Sequence, residues 1–567
     1  MTAEQLSVRS ERVDDVPLVL AFLQRLGLAA LLEKTVGTHG NTRHQNVLGN
    51  GQAFVVWLTF LLTQSDHRKV TVAEWVARHT RTLAIGLGVS EVPATDFSDD
   101  RLSTLLDRLQ RPGVWEQVEA ALLARTLLVT PLPLEQVHLD STSTWGFHAP
   151  DPDGVMRFGH AKGGGAATRT QVKLMAATTR TGQLLACTVW PGDAADPPLY
   201  QPLIARIRHL LGQTGLLYVG DSKLGSLATR ADLAARGDYY LTPLAKPNRE
   251  ADPAPWLAQT SGEGACTTLV WRQTGPQPED RTLIGGVQEV TVTRTAPGEA
   301  GPITWEERVL LVYAPTSAAR QEDMLQQRLR EAQVALRKLT PPRRPGVKRY
   351  ATEAALQEAV AQELAKAHVP GLLTVTLACE AGTGRRPDRY VIAGITGNAA
   401  ALEAHRATHG WRVFVTNAPV RRLSGARAVL TYREEYVIER DFHLFKDTPL
   451  GISPLFVQTA AQITGLMCFV TLGVRVLTLL ETAVAEGLGP SPEPLTGLYA
   501  GLPTKPSTHP TAVRLLQAFV RAELTLTGVA YAGQIHWHLP PLSPLLQRIL
   551  AAVGVAEEVY TRLTTSQ

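Results

Sequence analysis

A chain of 567 residues is too long for one ordinary hydrophobic core, so two to four domains are expected. Its 44% apolar content excludes a disordered polymer, and a formal net charge of +4 is too modest to announce a nucleic-acid partner, which has to be sought in local clusters. The four cysteines, Cys187, Cys266, Cys379 and Cys468, form no CxxC pair, which excludes a zinc ribbon and a disulfide framework and fits a reducing cytoplasm.

The N-terminal stretch MTAEQLSVRSERVDD is polar and has no apolar targeting segment. Residues 1 to about 130 then read as helices. Thr71 and Glu74 suggest a capping box ahead of VAEWVARHTRTLAIGL, and Ser98 with Asp99 opens a helix through RLSTLLDRL. Asp66 to Lys69, Arg78 and Arg81 lend this region a basic edge, without a clear helix-turn-helix. From about 131 to 247 strands come first and then alternate with helices. Strands are expected near Val137 and at 171–177, 184–190, 216–220 and 239–242, and helices at about 199–211 and 226–236. The loop GHAKGGGAATRTQ, with Lys162 and Arg169 flanking three glycines, lacks the GxxxxGK[ST] of a P-loop and reads equally as a hairpin tip or as a basic loop near a phosphate.

Residues from about 248 to 405 interrupt this pattern with strand-like runs at 267–271, 287–293, 308–313, 372–377 and 390–395, and helical patterns at 318–339 and 352–368. The segment RKLTPPRRPGVKR gathers Arg343, Arg344, Lys348 and Arg349 around Pro341, Pro342 and Pro345. Such a strip can track a phosphate backbone; a solvated linker is the plain alternative. Trp271, Trp305 and Tyr313 could stack on a base, but aromatic residues on strands are more often core. A strand follows at 411–417, then a helical stretch at 424–446. Beyond 450 the chain reads as helical, with a proline-rich break at about 490–510. Its greasiest run, 463–480, is broken by Arg475, short of the roughly 20 apolar residues a bilayer span needs, so a buried helix is expected. His536 and His538 flank Trp537, a weak zinc signal that an edge strand or loop explains better.

Three carboxylates stand out. Asp140 lies in EQVHLDSTSTWG, a half-buried strand pattern, and Asp221 closes the apolar run LLYVGD, at the carboxyl end where open α/β sheets place ligands. Glu439 lies in TYREEYVIERDFHLFK, where residues seven apart return to nearly the same helix face, so that Tyr432, Glu439 and Lys446 form one stripe. Taken singly, each has an ordinary reading as a turn former, a cap or a solvated helix face. Together they suit phosphoryl transfer, in which two hard cations roughly 3.5–4 Å apart activate a water or a 3′ hydroxyl and stabilise the leaving oxygen. Oxygen ligands select Mg²⁺ or Mn²⁺, two ions per site, and Lys446 could hold a phosphate beside them.

At LDST (139–142), VGDS (219–222) and Tyr432, Glu439 and Lys446, the chain resembles the DDE transposases of bacterial insertion sequences. The resemblance is to the group with a Tyr-Arg-Glu-Lys signature and a β-rich insertion before the catalytic glutamate. One position departs: the signature arginine falls at Glu435, which makes Glu435 a rival third carboxylate, with Arg433 and Arg440 nearby.

The resemblance implies an α/β fold with a ribonuclease-H-like mixed sheet, divided into a helical N-terminal region (1–130), a first part of the core (131–247), a β-rich insertion (248–405), a second part of the core (406–450) and a helical C-terminal region (451–567). It also implies metal-dependent cleavage of transposon ends and strand transfer into target DNA, by a homodimer on double-stranded DNA in a bacterial cytoplasm and with no membrane partner. The same resemblance makes Asp140, Asp221 and Glu439 both catalytic and metal ligands, with DNA contacts from Tyr432 and Lys446; Arg433 beside that stripe, the loop residues Lys162 and Arg169 and the basic strip Arg343, Arg344, Lys348 and Arg349 are candidate DNA contacts on their charge and placement in the sequence. Two other readings compete: a nuclease of the same fold that cuts without joining, and a DNA-binding regulator without catalysis. A glycosidase with paired carboxylates leaves the helix stripe unexplained.

Overall fold

The structure is a computed structural model that describes residues 7–37, 47–160, 166–246, 248–260, 267–273, 281–298, 301–344, 349–383, 387–434, 436–446, 450–489, 493–531 and 534–565. In chain order it opens with β1 (Ser7–Arg12), α1 (Val16–Arg25), α2 (Leu28–Val36), α3 (Asn50–Gln64), α4 (Val72–Arg78), α5 (Thr80–Leu87), α6 (Asp99–Leu109) and α7 (Val114–Val129). There follow β2 (Gln136–Gly146), β3 (Arg157–His160), β4 (Ala166–Thr179), β5 (Leu184–Pro191), α8 (Tyr200–Leu211), β6 (Leu217–Gly220), α9 (Leu227–Ala235) and β7 (Tyr239–Pro243). The middle of the chain holds α10 (Ala254–Thr260), β8 (Thr267–Gln273), β9 (Arg281–Ala296), β10 (Ile303–Tyr313), α11 (Pro315–Leu339), α12 (Glu353–Lys366), β11 (Leu373–Glu380), β12 (Arg389–Gly397) and α13 (Ala399–Arg406). The last part is β13 (Trp411–Thr416), α14 (Gly425–Arg433), α15 (Tyr436–Lys446), α16 (Ala460–Leu488), α17 (Ala512–Arg521), β14 (Thr525–Tyr531), β15 (Gln534–His538), α18 (Pro544–Val553) and α19 (Glu558–Thr561). The chain divides into two compact units, one of residues 1–229, 236–238 and 433–567, the other of residues 230–235 and 239–432.

In the first unit β2, β4 and β5 make an antiparallel set with β4 in the middle, and β6 pairs in parallel with the free side of β2. That arrangement is the ribonuclease-H-like one. Strand β6, LYVG, is buried along its length, as a parallel strand covered on both faces must be. The turn between β4 and β5 needs its glycine twice over. Gly182 has φ +86°, and a Cβ there would come within 2.8 Å of Val437 on α15.

The core of this unit is organised around α16, long and apolar enough to cross a bilayer but buried here against α3, α6, α15, α17, α18 and β5. Its approach to α6 is close enough that a Cβ on Gly465 would lie 2.3 Å from the Leu106 carbonyl oxygen. Arg475, the charge that interrupts the apolar run, is buried on this helix, and its guanidinium meets Glu119 of α7 at 2.5 Å and the Leu185 carbonyl at 3.0 Å. Glu119 is fully buried, also accepts the Cys187 N–H, and is paired with Arg206 of α8.

The terminal regions depart from the all-helical expectation. Strand β1 pairs with β14, and β14 with β15, in a three-stranded antiparallel sheet. His536 and His538 are exposed residues of the edge strand β15. The Ser98 cap forms, its Oγ accepting from Arg101 N at 3.3 Å. The Thr71 capping box does not, because the Thr71 hydroxyl donates to Asp66 and to the Arg68 carbonyl while Glu74 pairs with Arg78. Nor is there one helix after it. His79 sets both ring nitrogens against carbonyls, of Trp75 and Arg12, and Glu11 of β1 caps the new helix by accepting from Arg81 N and Thr82 N.

Asp15, ahead of α1, is almost fully buried and makes no side-chain capping bond. Burial, with the neighbouring Asp14 charge, pushes its carboxyl well above the usual range. The folded state therefore keeps a proton that the unfolded chain releases above the ordinary Asp value. Stability from this group is complete at acid pH and is lost as the pH rises through the folded value. Asp15→Asn is expected to raise the melting temperature at pH 7 and to leave it unchanged near pH 3.5. A gain of equal size at both values would contradict the burial of an acid here.

The second unit contains an antiparallel sheet in the order β7, β13, β10, β9, β8. The strands expected in the insertion at 267–271, 287–293 and 308–313 thus continue the sheet of β7 and β13. Residues on α11, α12, β11 and β12 close a separate small core around Leu329, Leu336, Leu356 and Val369. Trp305 is buried and donates to the Tyr240 hydroxyl, so it serves the interior rather than a base platform, while half-buried Tyr313 packs on Trp411. The side chain of Trp271 and all of Cys266 lie outside the described residues.

Candidate active site

The β2–β6 pairing sets the site. Leu139 is in register with Gly220, the last residue of β6, so Asp140 on β2 and Asp221, the first residue past β6, come side by side. Both are partly exposed. The Ser141 N–H donates to Asp140 Oδ1 at 2.7 Å, and Asp221 Oδ1 accepts from the Tyr200 hydroxyl at 2.7 Å and from Lys223 N at 2.9 Å.

Lys223 is ion-paired with Asp196 and sits 3.9 Å from Asp221 Oδ2; Lys173 of β4 holds the other Asp196 oxygen at 2.5 Å. Burial works against both members, yet the two ammonium groups hold the Asp196 carboxyl below its usual range, and Asp196, with Asp221 and Asp140, raises Lys223. Burial and the charges of Asp221 and Asp140 push the Tyr200 phenol well above its ordinary value. These four residues were not singled out in the sequence. Only Lys223, two residues after Asp221 in GDSK, stood close enough to a singled-out acid to be noticed.

Helix α15 lies over the same strands. Ala176 of β4 is opposite Asp140 in register, hence on the same face, and packs with Ile438 and Phe442 of α15. Glu439 follows Ile438 and is exposed, and Lys446, two turns on, is half-buried. Among the described residues no three acidic, histidine or cysteine side chains converge within reach of one ion. The structure therefore brings Asp140 and Asp221 together and places Glu439 on the helix that covers them, outside their immediate cluster.

The expected single helix over 424–446 is two helices, α14 and α15, with Glu434 in a turn between them. Tyr432 packs edge-on against Phe414 at 4.9 Å, whereas Glu434 accepts from Gln136 of β2 at 2.9 Å. Tyr432 and Glu439 thus share no continuous helix face, while Glu439 and Lys446 do. Gln136 also donates to His138 Nε2 at 2.7 Å, and burial pushes the His138 ring down to about 4, leaving it neutral at physiological pH.

The DNA-contact candidates are spread out. Arg169 lays its guanidinium over Trp145 at 4.0 Å, beside the exposed Phe147. Arg343 is committed to Glu380 at 2.8 Å and to the Glu380 and Ala381 carbonyls, while Arg344 and Arg349 are exposed and Arg433 is half-buried. Lys162, Lys348 and Glu435 lie outside the described residues.

Residues 135–474, well over half of the chain, match the family described as the transposase DDE domain. The chain belongs to that family. The match begins just before β2 and ends within α16, so Asp140, Asp221 and Glu439 all fall inside it. No curated protein matches the chain. Among solved structures the chain is similar to a piggyBac transposase synaptic complex with hairpin DNA, with 7% identity, a TM-score of 0.34 and coverage of 97% of this chain and 84% of that one. It is also similar to a Mos1 transposase paired-end complex with left transposon end, with 14% identity, a TM-score of 0.14 and coverage of 40% and 76%.

The residues present suit a divalent cation. Asp140 and Asp221 offer adjacent, solvent-reaching carboxylates, a donor set of hard oxygens with no competing thiol or imidazole in the pair.

Proposed function

We propose that the chain cleaves the ends of its own mobile element and joins them to target DNA. The observation that supports this most is the adjacency of Asp140 and Asp221 at the exit of paired parallel strands, beneath the helix that carries Glu439. In this reading Asp140 and Asp221 hold the ions and Glu439 completes the set when end DNA draws α15 and the phosphate together. Bound Mg²⁺ or Mn²⁺, two per site, supplies activation of the attacking oxygen and stabilisation of the leaving one. Hydrolysis at the transposon end frees a 3′ hydroxyl, which then attacks the opposite strand or the target.

Lys446, on the Glu439 stripe, holds a phosphate as a point charge, and Arg169, Arg344, Arg349, Lys162 and Lys348 supply further backbone contacts. Tyr432 would act on DNA only by leaving Phe414, and Arg343 only by releasing Glu380; half-buried Arg433 is a further candidate contact. Membership of the Tyr-Arg-Glu-Lys group, a homodimer pairing two ends, and a place on the nucleoid in the cytoplasm belong to the same proposal.

The test is to incubate the protein with uncut and with pre-cut end DNA, Mg²⁺ and a target plasmid, with end binding followed by mobility shift. Joined products are expected. Cleavage of uncut ends without any joining would instead assign a nuclease, and neither reaction despite end binding would assign a regulator.

A further inference from the structure

Two donors converge on a single oxygen of Asp221. The Tyr200 hydroxyl and the Lys223 N–H both reach Oδ1, at 2.7 and 2.9 Å, which fixes the rotation of the carboxylate about its Cβ–Cγ bond and so the direction in which Oδ2 is presented. The Lys223 donor is local, two residues along the same turn. The Tyr200 donor comes from another element. Tyr200 is the first residue of α8, fully buried, on a helix that packs against β4 and β5, so its phenol is held by the same sheet that carries Asp140. Behind it Asp196 is clamped by Lys173 and Lys223, which ties the segment leading into α8 to β4 and to the turn after Asp221. A buried tyrosine whose hydroxyl is spent on a partly exposed carboxylate, and not on a backbone carbonyl of the core, is placed to serve that carboxylate.

We propose that Tyr200 is the positioning residue for Asp221, orienting the carboxylate for a divalent cation through a hydrogen bond from α8. The proposal rests on the reading of Asp221 as a metal ligand. Groups that hydrogen-bond behind a ligand typically change metal affinity or activity about 10–100-fold when removed. Tyr200→Phe deletes one oxygen and leaves the ring packing in place, so the full-length variant should melt as wild type does.

The experiment titrates Mn²⁺ into the full-length protein and reads free Mn²⁺ by electron paramagnetic resonance, with Asp221→Asn alongside and thermal melts as the check on folding. Tyr200→Phe is expected to weaken Mn²⁺ binding about 10–100-fold with an unchanged melt, and Asp221→Asn to remove the site. Wild-type affinity in Tyr200→Phe, together with lost binding in Asp221→Asn, would overturn the positioning role and leave the ligand in place. Wild-type affinity in Asp221→Asn would remove the ligand reading and this proposal with it. A Tyr200→Phe variant that loses Mn²⁺ only in proportion to a lowered melt would show a packing role alone and equally reject the proposal.

Discussion

Asp140→Asn is expected to lower Mg²⁺-dependent cleavage of transposon-end DNA by about a thousandfold or more, with binding of uncut ends unchanged. The substitution keeps the size and the Ser141 N–H contact of the side chain but removes the charge proposed to hold the cations. Ions at such a site contribute several kcal/mol of transition-state stabilisation, and each 1.36 kcal/mol is about tenfold in rate. Rates are to be measured on a labelled end duplex under single turnover, and binding by mobility shift. Asp140 sits on β2 with Ala176 opposite, and its removal leaves the α15 contacts of Ile438 and Phe442 untouched, so the variant should fold. Undiminished cleavage by Asp140→Asn would withdraw the assignment. A parallel loss of end binding would mean that Asp140 shapes the DNA surface instead.

The second large effect is structural. Glu119→Ala leaves Arg475 buried inside α16 without its carboxylate and takes from Arg206 on α8 one of its two, Glu116 remaining. Breaking a buried pair by deleting one partner costs about 3–5 kcal/mol, a large part of the 5–15 kcal/mol that holds a typical domain together. Burial pushes the Glu119 carboxyl above its usual range, and the Arg475 and Arg206 charges offset part of that rise. The variant is expected to lose several kcal/mol in urea unfolding and most of its soluble yield. A midpoint within error of wild type would show that the three charges are dispensable to the fold.

Many of the strands were legible because they carry their signal locally. The apolar run ending at Asp221 and the alternation through Asp140 became β6 and β2, and the runs at 267–271, 287–293, 308–313, 372–377 and 390–395 became β8 to β12. The apolar stretch around Val470 was read as a buried helix because Arg475 interrupts it; the helix runs for 29 residues, long enough for a bilayer, and it is buried by the elements packed around it. The sheet of β1, β14 and β15 was not legible, since β14 and β15 are short and β1 lies some 500 residues away in the chain. Nor was the break between α14 and α15. The periodicity runs on through TYREEYVIER, but Tyr432 is committed to Phe414 and Glu434 to Gln136, and the chain passes from one compact unit to the other between Tyr432 and Arg433. In the site, Asp140 and Asp221 could be read from strand context. Tyr200 and Asp196 could not, because nothing in PPLYQP shows that its tyrosine will reach a carboxylate 21 residues further on.

The most direct measurement is the anomalous signal of Mn²⁺ in crystals of the protein with cleaved end DNA. Two peaks are predicted between Asp140 and Asp221, with a Glu439 oxygen at ligand distance, about 2.1 Å, and the terminal 3′ oxygen beside them. Mn²⁺ bound elsewhere, or a pair of ions at Asp140 and Asp221 completed by a different carboxylate, would contradict the arrangement proposed for these three acids.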